Sequence, residues 1–322
     1  RDAAQGLWDK FEFFSGYGFN KSHAVSYSII SFQCAWLFNY YPSEWMAAFL
    51  DKEPESRKEK AINIAKSFGF KIRGMDINLS GVEWGIDPTN DKVLIQPLSS
   101  IKGLGDKAIE QILQNRPFRT IEDLIFNENI LYSKLNKKSL NVLSLCGALD
   151  CLKDDRFTGM KHLRASVVLD KPKNQKKLDE NIKLYENEGS FSADEKIANL
   201  SDLTGIFPID LVISNDLQQS FTDRSIPALG DEQNRFTYRA NEGYIAWCIP
   251  REIIKKKTRN QKDFWIVRVT DQTCVDSKIK CWGVNSKKDI LHLNRPYIIR
   301  FGYSDQWGFS TKRGTSCWKL MG

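Results

Sequence analysis

Lys21 and His23 stand where a long apolar helix begins, in the stretch GYGFNKSHAVSYSIISFQCAWL that runs from Gly16 to Leu37. The N-terminal end of a helix carries partial positive charge and unsatisfied N–H groups, so a lysine there is repelled unless an anion faces it. With Asn20 as N-cap, positions 23, 26, 27, 30 and 33 share one stripe, which gathers His23, Ser26, Tyr27 and Gln33 on an otherwise apolar helix. A plain core helix does not place four polar groups on one side. The wall of a nucleotide pocket does, with Lys21 and the helix start toward phosphate oxygens.

Two further sets of residues suit phosphate chemistry. The segment IKGLGDKAI, Ile101 to Ile109, has the form of a helix-hairpin-helix turn. Gly103 and Gly105 around Leu104 strip side chains from the turn, so that N–H groups at the next helix start can approach a DNA phosphate. Lys102 and Lys107 add charge without base specificity. A second basic turn, with Lys134, Lys137 and Lys138, precedes SLNVLSLCGALD and makes the hairpin a tandem one. Near the C-terminus, Lys255, Lys256, Lys257 and Arg259 accompany Trp265, Trp282, Tyr303 and Trp307. Cations that track a backbone beside aromatic faces that stack on bases hold single strands without sequence preference.

Composition narrows the field. Net charge is +7, yet residues 240–322 hold 16 Lys and Arg against 7 Asp and Glu, while residues 1–239 hold 31 against 33. The positive excess therefore belongs to the last quarter, which points there to a polyanion partner. Seven cysteines without a C-x-x-C pair, and only three histidines, argue against a disulfide framework or zinc site and for reduced, cytoplasmic thiols. No apolar run has membrane-spanning length, and no Ser/His/Asp set, Walker loop or H-E-x-x-H sequence occurs. The chain does not start with Met and opens into a helical pattern, as part of a longer protein would. His162 and His292 have no partner at ligand spacing and read as ordinary helix residues.

The elements that must position these residues follow from periodicity. Residues 1–69 read as helical, broken at Tyr41-Pro42, with Ala61, Ile64, Ala65 and Phe68 on one face of a later helix that stops at Gly69. Residues 70–98 read as short strands, with DPTND as a turn between VEWGI and KVLIQPL. Residues 99–169 are helical and hold the tandem hairpins, with Thr120 and Asp123 at a helix start. Residues 170–239 read as a charged linker with one loose helix, followed by a short motif before the last domain. Residues 240–322 contain five strand patterns, with PREIIKKKTRNQK as the loop between the first two and VNSKKDILHLN as a short helix between the third and fourth. That order is the OB-fold's. In DFWIVRVTD, Trp265, Val267 and Val269 lie on one face, Phe264, Ile266 and Arg268 on the other. The fold class is multidomain α+β: a helical remnant, a tandem helix-hairpin-helix domain and a C-terminal OB-fold barrel.

The stretch GYGFNKSHAVSYSIISFQCAWLFNYYPSEWMAAFL resembles the fingers segment of the bacterial replicative DNA polymerase III alpha subunit, a family C polymerase. GFKIRGMDIN is similar to that family's link after the fingers. The paired hairpins are similar to its duplex-binding domain, and LTGIFPIDL to the motif before its OB-fold. The resemblance implies fingers contacts to incoming deoxynucleoside triphosphate from Asn20, Lys21, Ser22, His23, Ser26 and Tyr27, with Lys21 and His23 nearest the triphosphate and Ser26 and Tyr27 nearer the base. It implies primer-template and single-stranded DNA as partners, and an upstream palm half whose aspartates hold Mg2+. This chain then holds no catalytic residue, metal ligand or cofactor of its own, and alone is inactive. The family's sliding-clamp peptide, a Gln followed by apolar residues, has no match in ENEGSFSADEKI, and DLQQSF at 216–221 matches only in part, so the expected clamp contact lacks its motif. The rival reading is a non-catalytic hairpin-plus-OB tether in replication or repair.

Overall fold

The computed structural model describes residues 2–17, 21–231, 243–273, 277–285, 287–304, 306 and 308–321. Four helices open the chain: α1 (Asp2–Tyr17), α2 (Lys21–Tyr40), α3 (Pro42–Lys52) and α4 (Lys58–Ser67). Pro42 at the first position of α3 explains the break after α2, because its ring fits a helix start and removes an N–H that would be unpaired there anyway. Lys58, only 8% exposed, donates from Nζ to the Leu50 carbonyl 2.6 Å away and so satisfies the end of α3. Phe68 is exposed, and Phe70 takes its place in the core: Gly69, at φ 84°, turns the chain after α4.

Strands β1 (Lys71–Arg73), β2 (Gly85–Asp87) and β3 (Asn90–Ile95) form a small sheet in the order β1-β3-β2, with β1 parallel and β2 antiparallel to β3. It packs with α3 and α4 around Met46, Leu50, Phe70, Trp84 and Leu94. The turn expected at DPTND joins β2 to β3, held by Asp87, which accepts from the Thr89 N–H and hydroxyl and from Arg73 at 2.8 Å. The Thr89 hydroxyl and N–H bonds and the Arg73 contact hold the Asp87 carboxyl down at about 2.

A larger helical core follows, from α5 (Asp106–Asn115), α6 (Ile121–Ile125), α7 (Lys137–Leu145) and α8 (Met160–Leu163), continued by a π-helical turn over Arg164–Leu169. Thr120 and Asp123 form the capping box their spacing suggests. His162 is buried: the Thr158 N–H donates to its Nδ1 at 3.0 Å, which leaves Nε2 to donate to the Ile182 carbonyl at 2.7 Å, a structural role.

The expected linker is corrected. Residues 170–239 contain α9 (Gln175–Leu184), α10 (Ala193–Thr204) and α11 (Asn215–Asp223), capped by the side chains of Asn174, Ser192 and Ser214. Each helix anchors through few apolar side chains, Leu178, Ile197 and Phe221 being the buried ones, which is why a charge-rich composition hid them. A separate apolar cluster of Phe207, Ile209, Ile213, Phe221, Trp247 and Ile249 ties this region to the last domain.

That domain comprises β4 (Gly243–Lys257), β5 (Asp263–Thr270), β6 (Ser277–Cys281), β7 (Tyr297–Ser304), β8 (Gly308–Thr311) and β9 (Trp318–Leu320). The strand order β4-β5-β6-β8-β7 closes through β4 with β7, and β6 with β8 is the parallel pair, giving a five-stranded OB-like barrel with β9 added on β7. Two local expectations are corrected. The first strand runs on through Lys257, so PREIIKKK is strand and the turn is Thr258–Lys262. A register shift between Pro250 and Glu252 bends β4, which lets one strand pair with β7 and then with β5. No helix lies among the described residues of 284–294; Asp289 instead accepts from the Asn285 N–H and the Thr315 hydroxyl and fastens a turn.

Candidate nucleic-acid interface

The first hairpin is built around its glycines. Ile101 and Leu104 are buried, so the side chain of Leu104, in the middle of the expected DNA-binding turn, is an anchor within the helical core. Gly103 sits at φ 89°, a left-handed conformation that side chains resist. Gly105 is the N-cap of α5 at φ −85°, ψ 159°, and no side chain caps this helix. The Ala108 and Ile109 N–H groups bond back to the Gly105 carbonyl, while Gly103, Gly105, Asp106 and Lys107 lie exposed. An uncapped helix start with no side chain at its N-cap leaves its first N–H groups open to an anion.

The cations around it divide. Lys107 makes only an exposed pair with Glu110 at 3.2 Å, too weak to hold it from a phosphate. Lys102 donates its N–H to the Leu203 carbonyl, and its Nζ lies 3.3 Å from where a Cβ on Gly205 would stand, at the carbonyl end of α10. From the second hairpin, Lys138 brings its Cε to 3.6 Å from the same construction on Gly103, so the two hairpins share a face. Here Asn136 caps α7 by accepting from the Ser139 N–H, Lys137 donates to the Leu169 carbonyl at 2.6 Å, and Lys134 is exposed.

Helix α2 is exposed over most of its length, only Phe38 near its end packing on the first core, and Val25, Tyr27, Ile29, Ile30, Trp36 and Leu37 are between 43% and 59% exposed and Phe32 69%. Single exposed apolar residues are ordinary, but a twenty-residue helix without a buried side chain is a surface awaiting cover. Lys21 and Ser22 are exposed at its start, and the His23 and Tyr27 rings sit 4.3 Å apart, one turn from each other. Ser26 donates to the Ser22 carbonyl at 2.8 Å and so turns back onto its own helix. Asn20 lies outside the described residues.

On the barrel, Lys255, Lys256 and Lys257 are exposed at the end of β4, opposite Trp265, Phe264 and Asp263. Arg259 is exposed in the turn that follows. Trp265 is corrected: at 2% exposure it belongs to the barrel core with Val267 and Val269, and cannot stack on a base. The outward ring is Phe264, stacked on half-buried Trp282 at 4.5 Å and 21°. Beside this pair opens a groove of about 780 Å³ lined by Lys257, Lys262, Trp282 and Lys287 among others. Phe264, Lys262 and Lys287 were missed in the sequence reading, although the alternation in DFWIVRVTD already put Phe264 opposite the all-apolar face. Tyr303 packs against the barrel core, and Trp307 lies outside the described residues.

The two clamp-like segments have their aromatic residues tied in: Phe221 is 2% exposed and stacked on Trp247 at 5.0 Å, and Phe191 packs on the helical core. Among the described residues no three His, Cys, Asp or Glu side chains converge as a metal site requires, and no helix is long and apolar enough to cross a membrane.

A helix-hairpin-helix motif family matches residues 69–158. Curated relatives named DNA polymerase III subunit alpha are similar to the chain: that of Pseudomonas aeruginosa is 33% identical over 176 residues, 53% of this chain and 15% of the relative. That of Buchnera aphidicola (subsp. Schizaphis graminum) is 31% identical over 229 residues, 69% and 18% respectively, and that of Thermus aquaticus 35% over 159 residues, 48% and 13%. The chain thus spans less than a fifth of the length of these relatives.

Proposed function

We propose that this chain is the C-terminal portion of a family C replicative DNA polymerase, acting in the cytoplasm on primer-template DNA. The observation that carries the reading is the open glycine turn at Gly103–Gly105, joined in one chain to an OB-like barrel with an outward aromatic pair and to similarity with polymerase alpha subunits. The hairpins grip duplex phosphates through Gly103, Gly105 and Lys107 of the first turn and Lys134, Lys137 and Lys138 of the second. The barrel holds single-stranded template through Lys255, Lys256, Lys257, Arg259 and Trp282. Lys21 and His23 face the triphosphate of an incoming deoxynucleotide, and the apolar sides of α2 are covered by the polymerase's other half. The Mg2+ ions of the reaction are assigned to residues of that half, and no step through them is assigned to this chain. A sliding clamp, if engaged, uses a surface other than Phe191 or Phe221.

Primer extension with the remainder of the polymerase supplied as a separate chain tests the reading. Activity should need both chains, and Lys21→Ala with His23→Ala should raise the nucleotide KM by about 10- to 100-fold, the worth of one charge-assisted hydrogen bond or more. Equal extension without this chain would leave the DNA tether as its role.

A further inference from the structure

The second hairpin does not end at α7. Lys137 reaches across to the Leu169 carbonyl, and two residues on, Lys171 lays its Nζ 3.5 Å from the centroid of the Tyr132 ring, in the loop that leads into the hairpin turn. The segment 169–174 is thus packed on the hairpin. Its far side is fastened too: the Asn181 amide donates to the Ser166 and Asp170 carbonyls. Lys177 is occupied by Asp170 and Glu180 at 3.7 and 4.0 Å. Lys171, Lys173 and Lys176 stay exposed, and no carboxylate pairs with any of them among the described residues.

We infer that the duplex-binding surface extends from the tandem hairpins onto the connection to α9, where Lys171, Lys173 and Lys176 continue the cationic strip begun by Lys138 and Lys137. The inference rests on the reading that the hairpins grip duplex DNA. Contact runs unbroken from Gly103 to Lys138, from the neighbouring Lys137 to Leu169, and from Lys171 to Tyr132. A stretch that composition marks as a solvated linker is therefore held in place against the hairpin. Held lysines without acidic partners suit a phosphate backbone, which is recognised by charge and spacing rather than by base edges. Tyr132, whose hydroxyl donates to the Leu124 carbonyl at 3.0 Å, is a fixed platform that presents Lys171.

The test compares the unaltered chain with a Lys171→Ala, Lys173→Ala, Lys176→Ala variant, by fluorescence anisotropy on a labelled duplex and on a single strand across a salt series. The variant should lose about 2 to 3 units of salt slope on duplex, so that raising salt from about 50 to 200 mM costs it about 16- to 64-fold less affinity than it costs the unaltered chain. Single-strand binding through the barrel should not change. Because Lys171 packs on Tyr132, a Lys173→Ala, Lys176→Ala variant and a triple Lys→Arg variant accompany it; the first should lose about 2 units and the second none. An unchanged slope in the alanine variants overturns the inference while leaving the hairpin reading in place. Failure of the unaltered chain to bind duplex overturns both.

Discussion

Replacing Gly105 with aspartate sets folding and DNA binding against each other. Gly105 is the N-cap of α5, its backbone already in the extended conformation that capping residues adopt, and a Cβ there meets nothing within 4 Å. An aspartate side chain can accept from the N–H groups at the start of α5, which no side chain caps in the unaltered protein. The cap adds a few tenths of a kcal/mol over glycine, and a carboxylate at the positive end of the helix about 0.3 to 1 more. Gly105→Asp should therefore stabilise the chain by about 0.5 to 1.5 kcal/mol in urea unfolding. The same carboxylate stands where the proposed phosphate would sit. Two like charges about 4 Å apart repel by about 1 kcal/mol in water and about 4 near a protein surface, so duplex affinity should fall by about 5-fold to several hundred-fold. Gly105→Ser supplies the cap without the charge and should bind far better than the aspartate variant. Anisotropy on a labelled duplex at fixed salt, run beside unfolding of the same samples, reads both effects. If the aspartate variant is more stable and binds duplex as before, this turn is not a phosphate site; if it is less stable, α5 is not the uncapped helix described.

The barrel and the small sheet supply two further tests. Phe264→Ala and Trp282→Ala should each cost about 1 to 3 kcal/mol of single-strand affinity, as loss of a stacking platform does, whereas Trp265→Ala should cost about 3 to 5 kcal/mol of stability, as a large core truncation does. Equal binding by the first two variants would remove the Phe264–Trp282 pair from the interface. For Asp87, whose pKa lies near 2 in the fold against an ordinary 3.8, the unfolded chain takes up its proton first as pH falls. Its stabilising contribution is thus complete above pH 3.8 and is lost on the way down to about 2. Asp87→Asn should flatten the acid limb of the stability profile in that window, and an unchanged limb would show that its bonds to Thr89 and Arg73 are not held in solution.

Much of the architecture was legible because it is written in short-range chemistry. The Tyr41-Pro42 break, the stop at Gly69, the Thr120–Asp123 box and the alternation along β5 each depend on residues within a few positions of one another. The glycine turn at 103–105 was legible as a helix-hairpin-helix turn for the same reason. What failed was whatever depended on a distant partner. Residues 170–239 are charged enough to read as linker, yet Leu178, Ile197 and Phe221 find cover on other elements and convert it to capped helices. The first barrel strand overruns its expected end because β5 supplies hydrogen-bond partners out to Lys257.

By itself, then, the sequence determined the break at Pro42, the stop at Gly69 and the helix start at Thr120, which turn needs glycine, and where the positive charge collects, since local backbone preference and composition decide those. Tertiary structure alone decided that Trp265 faces the core while Phe264 faces outward, that Leu104 is an anchor, and that Lys138 meets Gly103. It also decided that Lys171 comes to rest on Tyr132. Each of these is a choice between two faces or a meeting across tens of residues, and only the packing of whole elements against one another makes that choice.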